Sequence, residues 1–408
     1  MSPLFGADPL LQGDIDLTVV LIVLAKTVVI FALLLVAVMF YIWFMRKVIA
    51  DMQNRIGPQK AGPFGILQTL ADGIKLFFKE QSEPRTADRP VYLLAPYLSI
   101  IPAFLAFAIV PIGGTVSIAG HVTELQLADP DIGILFLLAM SGIGLYGVML
   151  AGWSSGSKYP LLGAVRASAQ LLSYEAALGL SVVAVLIQSG TLSTRAIVAD
   201  QAWTGVGSIA SEWFWLPAIG GFIIFLIAAI AETNHPPFDL VEAEQELVGG
   251  FHTEYTGIRF AIFFLAEFMN LITMSAIAVT LFLGGPNGPS ATGLGVSAGS
   301  WVNTWLLPIF WFMLKLLVLL YGTVWVRASL PRLRYDQLMD FGWKVLIEAS
   351  FLWAMVTAVI VVGTNEGWNL WLVTPLAAIG GVLVYGLLMA CIPSRDEIPG
   401  RDEIEEIH

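Results

Sequence analysis

Apolar stretches long enough to cross a bilayer recur from one end of this chain to the other, and no other feature restricts its fold so strongly. A helix needs roughly 20 predominantly apolar residues to span the hydrocarbon. Nine runs approach that length: Leu17 to Met45, Val91 to Ile112, Ile132 to Trp153, Leu161 to Ile187, Trp213 to Ala231, Phe260 to Leu283, Trp301 to Val326, Val345 to Gly363 and Trp368 to Ile392. Backbone groups in lipid must pair internally, and nothing in these runs alternates with the period of a barrel strand, so helices are expected. Composition agrees: 57% of the 408 residues are hydrophobic and 12% charged, against about 25% charged in soluble domains. The expected fold is an all-α polytopic membrane bundle of about nine transmembrane helices, residues 1–408 forming a single membrane domain.

Several chemistries are excluded early. Cys391 is the single cysteine, so no disulfide can form within the chain and no thiolate cluster can hold zinc or iron–sulfur. No Gly-rich phosphate or dinucleotide loop leads from strand to helix, the four histidines have no metal spacing, and no Ser/His/Asp elbow is present. The chain therefore carries no flavin, NADH or iron–sulfur site, and no nucleic-acid partner is expected. Residues Met1 to Asp16 contain three aspartates and no Lys or Arg, unlike a signal or transit peptide. The first apolar run is expected to be retained.

Basic residues orient the bundle. Three of the twenty, Lys26, Arg166 and Lys315, fall inside spans, and all the others except Arg195 lie in loops 1, 3, 5 and 7 or in the C-terminal tail. By the positive-inside rule the N-terminus is outside, the odd-numbered loops are cytoplasmic, and nine spans leave the C-terminus inside. Loop 1, Arg46 to Pro90, contains Leu67, Leu70, Ile74 and Phe77 at helical spacing after Pro63, with Gln68, Asp72, Lys75 and Lys79 opposite. That pattern predicts an amphipathic helix of about four to five turns lying in the interface.

An ionisable group at mid-membrane costs roughly 2.5–3.5 kcal/mol on the insertion scale. The chain nevertheless places Lys26, Arg166, Glu175, Glu267 and Lys315 in spans, with Glu232 at the end of the fifth. Arg166 and Glu175 are separated by about 13 Å along one helix and face opposite ways, so each must find a partner elsewhere. Salt bridges that fix helix packing would account for single residues; the set together favours a proton or ion path. Loop 5 adds Asp239, Glu242, Glu244, Glu246 and Glu254 to Glu232, against the single Arg259. Repulsion and partial burial raise some pKa values in such a cluster toward neutrality. Pro236, Pro237, Phe238, Leu240, Leu247 and Phe251 make this loop too apolar to float in water.

Four segments carry a family resemblance: QNRIGPQKAGPFGILQTLADGIKLFFKE from Gln53, WSSGSKYPLLGAVRASAQLLSYEAALGL from Trp153, AETNHPPFDLVEAEQELVGGFHTEYTGIRFAIFFLAEF from Ala231, and RASLPRLRYDQLMDFGWK from Arg327. They resemble the H subunit of bacterial NADH:quinone oxidoreductase, respiratory complex I, whose mitochondrial counterpart is subunit 1. The similarity runs over residues 1–363. It implies a cell-membrane subunit that anchors the hydrophilic arm, forms part of the chamber for menaquinone or ubiquinone, and couples quinone reduction to proton pumping. Implied partners are hydrophilic-arm subunits, one holding the terminal iron–sulfur cluster, small and antiporter-like membrane subunits, and the bilayer.

By matching position, Glu175, Glu232, Glu242, Glu244, Glu246 and Glu267 resemble the family's proton-path glutamates, with Asp72 near its start. Arg55, Phe64 and Phe251 are implied at the quinone chamber or its entrance, and Arg166, Arg327, Arg332 and Arg334 as supporting basic residues. Two departures stand out. His235 replaces the usual Arg, exchanging a fixed charge for a group expected to titrate near neutrality, and residues 364–408 add a span and an acidic tail. The membrane subunit of an energy-converting hydrogenase is the related alternative, and the intact loop 1 motif favours quinone. A free-standing transporter would show two inverted halves, which the sequence lacks.

Overall fold

The computed structural model describes residues 8–11, 16–203, 213–240, 248–290, 297, 299–368 and scattered positions between 376 and 386. Helices occupy eight of the expected spans. They are α1 (Leu17–Met52), α3 (Arg89–Phe107), α4 (Gly133–Ser154), α5 (Lys158–Ser189), α7 (Ile219–Glu232), α8 (Ile258–Phe282), α9 (Val302–Ser329) and α10 (Tyr335–Asn365), with α2 (Gln68–Phe78) in loop 1 and α6 (Thr194–Asp200) in loop 4. Seven are long and apolar enough to cross a membrane, and α7 is shorter, at 14 residues. The expected span from Trp213 is helical only from Ile219, because residues 213–218 turn back onto the end of α8, where Trp215 N–H donates to the Phe282 carbonyl at 2.9 Å. The ninth span, Trp368 to Ile392, lies almost wholly outside the described residues.

Two local expectations are corrected. Loop 2 contains an antiparallel hairpin, β1 (Thr115–Ile118) and β2 (His121–Glu124), closed by Ala119 and Gly120, both at positive φ. Positive φ at both central residues gives the twist that tight hairpins need. The amphipathic helix has 11 residues, about three turns, because the chain after Pro63 first makes a tight turn with Phe64 and Gly65 at φ 54° and 78°. A Cβ at Gly65 would sit 2.3 Å from the Pro58 carbonyl oxygen, so glycine is required there.

Burial explains how the bundle assembles. On α1 the buried positions Val19, Ile22, Lys26, Ile30, Leu34, Val38 and Tyr41 recur every three or four residues, and the rest of the helix faces outward. Helix α8 differs: every residue from Leu271 to Phe282 is buried, which makes it the centre around which the other helices pack. Lipid is as apolar as leucine, so helix association rests on close packing and hydrogen bonds instead of the hydrophobic effect. Small residues supply the packing. A Cβ at Gly147 of α4 would lie 2.3 Å from Ser99 Oγ and 2.8 Å from Ser99 N on α3, and one at Gly152 would lie 2.4 Å from the Pro160 carbonyl oxygen on α5.

The two lysines within spans, buried Lys26 and part-buried Lys315, serve packing. Lys26 Nζ bonds Asp8 and Thr123 Oγ1, each at 2.9 Å, tying α1 to the hairpin. Lys315 Nζ donates to the carbonyls of Leu283, Gly285 and Asn287 at 2.5–2.9 Å and sits 4.0 Å from the Trp213 ring centroid. It thereby caps the C-terminus of α8, where carbonyls are left over and the helix dipole favours a cation. Neither lysine bonds Glu175, Glu232 or Glu267, as a polar axis shared with those glutamates would require.

Gly147→Val should force α3 and α4 apart and lower the yield of folded protein in detergent severalfold. Gly322→Ala, where nothing lies within 4 Å of the added carbon, should match the native yield on size-exclusion chromatography.

Candidate functional site

The polar residues that helix packing does not consume gather around one cavity. It has a volume of about 70 Å³ and lies among α3, α4, α5, α7 and α8, lined by Ser99, Ser141, Glu232, Asn234, Glu267 and Asn270 together with apolar side chains that include Phe251. Glu232 closes α7 and is only 8% exposed; its Oε1 accepts from Ser141 Oγ, and its Oε2 has no partner among the described residues. Glu267 and Asn270 are three apart on α8, so they share a face. Glu175 of α5 is half-buried and faces α4 at a glycine: a Cβ at Gly142 would lie 3.5 Å from its Oε1. A smaller extension, about 20 Å³, continues past Ser99, Ser141 and Asn270 toward Thr273.

Loop 5 is held to this cavity by specific hydrogen bonds. Gln170 Nε2 donates to the carbonyls of Ala231 and Phe238, both at 2.9 Å, fixing the loop as it leaves α7. Residues 235 and 237–240 are buried. Buried Asp239 pairs with Arg332 at 3.0 Å, and Leu333 N–H donates to the Pro237 carbonyl, so loop 7 clasps loop 5. At the far end Ser82 N–H donates to Thr256 Oγ1, while Glu83 of loop 1 pairs with Arg259 at 2.7 Å. Tyr92 and Tyr255 stack with centroids 4.1 Å apart beneath this bridge. Expected site residues Glu242, Glu244 and Glu246 lie outside the described residues.

His235 behaves differently from expectation. Its Nδ1 is 2.7 Å from the Thr233 carbonyl and 3.3 Å from Glu267 Oε1, so that nitrogen carries the proton. Its Nε2 has no partner among the described residues, and a second proton would be buried there unpaired. Burial, with the charge of Arg327 in support, pushes its pKa down to about 4. His235 is therefore neutral at physiological pH and does not titrate near neutrality. His252, set edge-on to Phe251 and Phe260, is also pushed down to about 4 by burial.

The remaining expected residues lie on the loop 1 side. Asp72 accepts from Arg46 at 2.9 Å and from Gln68 at 3.1 Å. Partial burial pushes its carboxyl up, but these bonds and the charges of Arg46 and Lys75 outweigh it and hold the pKa below the ordinary value. Its contacts anchor α2 to the end of α1 and do not link it to the cavity. Phe64 is 78% exposed, with its carbonyl accepting from Trp43 Nε1, and Phe77 and Phe78 are exposed as well. Arg55 is exposed and bonds Gln53. Arg166 lies 4.9 Å from the Tyr335 ring, Arg327 is half-buried near Tyr41 and His235, and Arg334 is exposed at the start of α10. Of the expected carboxylates, Glu232 and Glu267 meet at the cavity, and Glu175 influences Glu232 electrostatically.

Sequence reasoning missed Ser99, Ser141, Asn270 and Gln170. A search for ionisable groups passes over uncharged ones, yet an amide or hydroxyl inside an apolar run carries a weaker form of the same signal. Among the described residues no group of three or more His, Cys, Asp or Glu is placed to hold a metal ion.

Comparison with known proteins matches residues 25–358 to a family described as NADH dehydrogenase. The chain is 50% identical over 369 residues to the H subunit of the NADH-quinone oxidoreductase of Frankia alni, covering 90% of this chain and 79% of that one. It is also 50% identical over 385 residues to the corresponding H subunit of Frankia casuarinae, covering 94% and 82%.

The two histidines with lowered pKa values make stability depend on pH. The unfolded chain protonates histidine near its ordinary value of about 6.5, whereas the folded chain resists until about 4. Between those values the unfolded state binds more protons, so stability falls as pH is lowered through the window and is unaffected above it. The thermal midpoint should drop between pH 7 and pH 5. His235→Asn, which keeps a donor toward Thr233, should drop less, and an equal drop would remove His235 as a cause.

Proposed function

The chain belongs to the NADH dehydrogenase family, alongside the H subunits of NADH-quinone oxidoreductase, and we propose that it supplies part of the quinone chamber and the first proton-carrying carboxylates of that enzyme. It is a polytopic membrane subunit of a larger complex and works in company with the other subunits and the surrounding lipid. The observation that carries the reading is Glu232: a carboxylate 8% exposed, bonded by Ser141, that lines one polar cavity together with Glu267.

Quinone, as menaquinone or ubiquinone, enters beside α2, where exposed Phe64 and Leu67 just before the helix and Leu70, Ile74 and Phe77 on it suit an isoprenoid tail better than water. Arg55 and Phe251 stand at the entrance and the inner wall of that chamber. Electrons arrive from the terminal iron–sulfur cluster of a hydrophilic-arm subunit; this chain contributes no redox centre. Reduction to quinol takes up two electrons and two protons, and that demand draws protons and reorders charge along loop 5. Glu242, Glu244 and Glu246 continue the chain of carboxylates to Glu232, Glu267 and Glu175, and Asp72 stands near its start. From there the path leads to the small and antiporter-like membrane subunits.

Arg332 on Asp239, with Arg166, Arg327 and Arg334 near it, balances the acidity and keeps loops 5 and 7 aligned for the hydrophilic arm. The subunit lies in the bacterial cell membrane with its N-terminus outside and loops 1, 3, 5 and 7 in the cytoplasm, as the basic residues require. The bundle of residues 1–363 carries the function.

Glu232→Gln and Glu175→Gln keep shape and hydrogen bonding while removing the titrating group. In the assembled enzyme, each should cut quinone-coupled proton pumping by about tenfold or more, the order that a positioned proton carrier contributes. NADH oxidation by an artificial acceptor, which takes place in another subunit, should persist. Native pumping in both variants would take these glutamates off the route.

A further inference from the structure

Proton transfer between Glu232 and Glu267 needs something to bridge the cavity, and its uncharged lining supplies the means. Of the uncharged polar residues there, Thr233 bonds carbonyls of its own helix and Asn234 accepts from Gln170, which leaves Ser141 of α4, Ser99 of α3 and Asn270 of α8, each from a different helix. Ser141 Oγ holds Oε1 of Glu232. That leaves Oε2 as the free oxygen, and it has no partner among the described residues; nor has Ser99 Oγ, although both residues are more than nine-tenths buried. An unpaired buried carboxylate oxygen and an unpaired hydroxyl on the walls of one cavity are costly unless a third group satisfies them. A cavity of about 70 Å³ has room for about two waters, and a buried water is held where two to four polar groups converge. The lining meets both conditions.

We infer that Ser141, Ser99 and Asn270 are positioning residues that hold a water bridge between Glu232 and Glu267, with Ser141 also fixing which oxygen of Glu232 meets it. This rests on the reading of those glutamates as proton carriers and adds the groups between them. In the transfer, the proton on Glu232 Oε2 passes to the bridging water, which gives one of its own protons to the carboxylate of Glu267. One O–H bond breaks and one forms at each step, the water is regenerated, and no electron moves. The three helpers are neutral, so they hold water without adding a charge that would trap the proton. Asn270 lies one turn from Glu267 on the same face of α8 and borders both the main cavity and its smaller extension, which suits it to orient water on the Glu267 side.

The test is quinone-driven proton pumping by the assembled enzyme in vesicles, with subunit assembly checked by co-purification. Ser141→Ala and Asn270→Leu should each lower pumping by about three- to tenfold, the worth of one ordinary hydrogen bond. Ser141→Thr, which keeps the hydroxyl, and Asn270→Ser, which puts a hydroxyl in place of the amide, should retain most of it. Native pumping in Ser141→Ala and Asn270→Leu beside a defective Glu232→Gln would overturn the water bridge and leave the glutamate reading intact. Normal pumping in Glu232→Gln would remove both. Equal loss in Ser141→Ala and Ser141→Thr, with assembly unaffected, would show that packing and not the hydroxyl matters and would also overturn the inference.

Discussion

Within hydrocarbon no water is available to satisfy a polar group, so each one must be met by the protein itself. The bundle follows from that constraint. Lys315 could not remain buried without the three carbonyls and the indole face that receive it, and the end of α8 could not remain buried without Lys315. Lys26 likewise depends on Asp8 and on a hairpin folded over the top of α1. Where helices touch, glycine and serine let backbones approach, and the gain is dispersion and hydrogen bonding because lipid offers apolar groups no reason to leave it. The structural charges are thus saturated at the periphery, and the carboxylates at the centre are left with a cavity.

The arrangement of loop 5 translates this into function. Its entry is fixed by Gln170 and by the Asp239–Arg332 pair, and its exit by the bonds of Thr256 and Arg259 to Ser82 and Glu83 of loop 1. Both clamps reach segments on the same side as α2, where the quinone chamber is proposed. A charge change at quinone would therefore be felt by the loop that Glu232 begins. A buried carboxylate at the start of that loop is placed to respond to such a change, because in low dielectric the interaction between charges is several times stronger than in water. The neutral His235 fits the proposed route: it donates from Nδ1 near Glu267 and adds no positive charge beside that carboxylate.

Much of the fold was legible in the sequence because lipid demands long uninterrupted helices: α1, α3, α4, α5, α8, α9 and α10 follow their apolar runs to within several residues at most ends. Where the chain is short or irregular, hydropathy was silent. The hairpin at Thr115–Glu124 is set by backbone turn geometry at Ala119 and Gly120, and the start of α7 by the hydrogen bond from Trp215 to the end of α8, one a local-conformational and the other a long-range fact. The site was half legible. Charge in an apolar run flagged Glu175, Glu232 and Glu267, but also Lys26 and Lys315, whose partners are backbone carbonyls, an indole, and residues far away in sequence. Ser141 and Asn270 carried no flag, since one hydroxyl or amide costs little enough to pass unnoticed. His235 was misjudged because its pKa depends on burial, which sequence does not state.

The central claim is that a buried carboxylate beside the cavity changes protonation when quinone is reduced. Infrared difference spectra of the assembled enzyme, recorded as quinone is reduced, report that event directly through the carbonyl stretch of a protonated carboxyl group. The account predicts a carboxyl band that shifts on labelling glutamate with carbon-13 and disappears in Glu232→Gln. A difference spectrum without any glutamate carboxyl signal, or one unchanged in that variant, would contradict it.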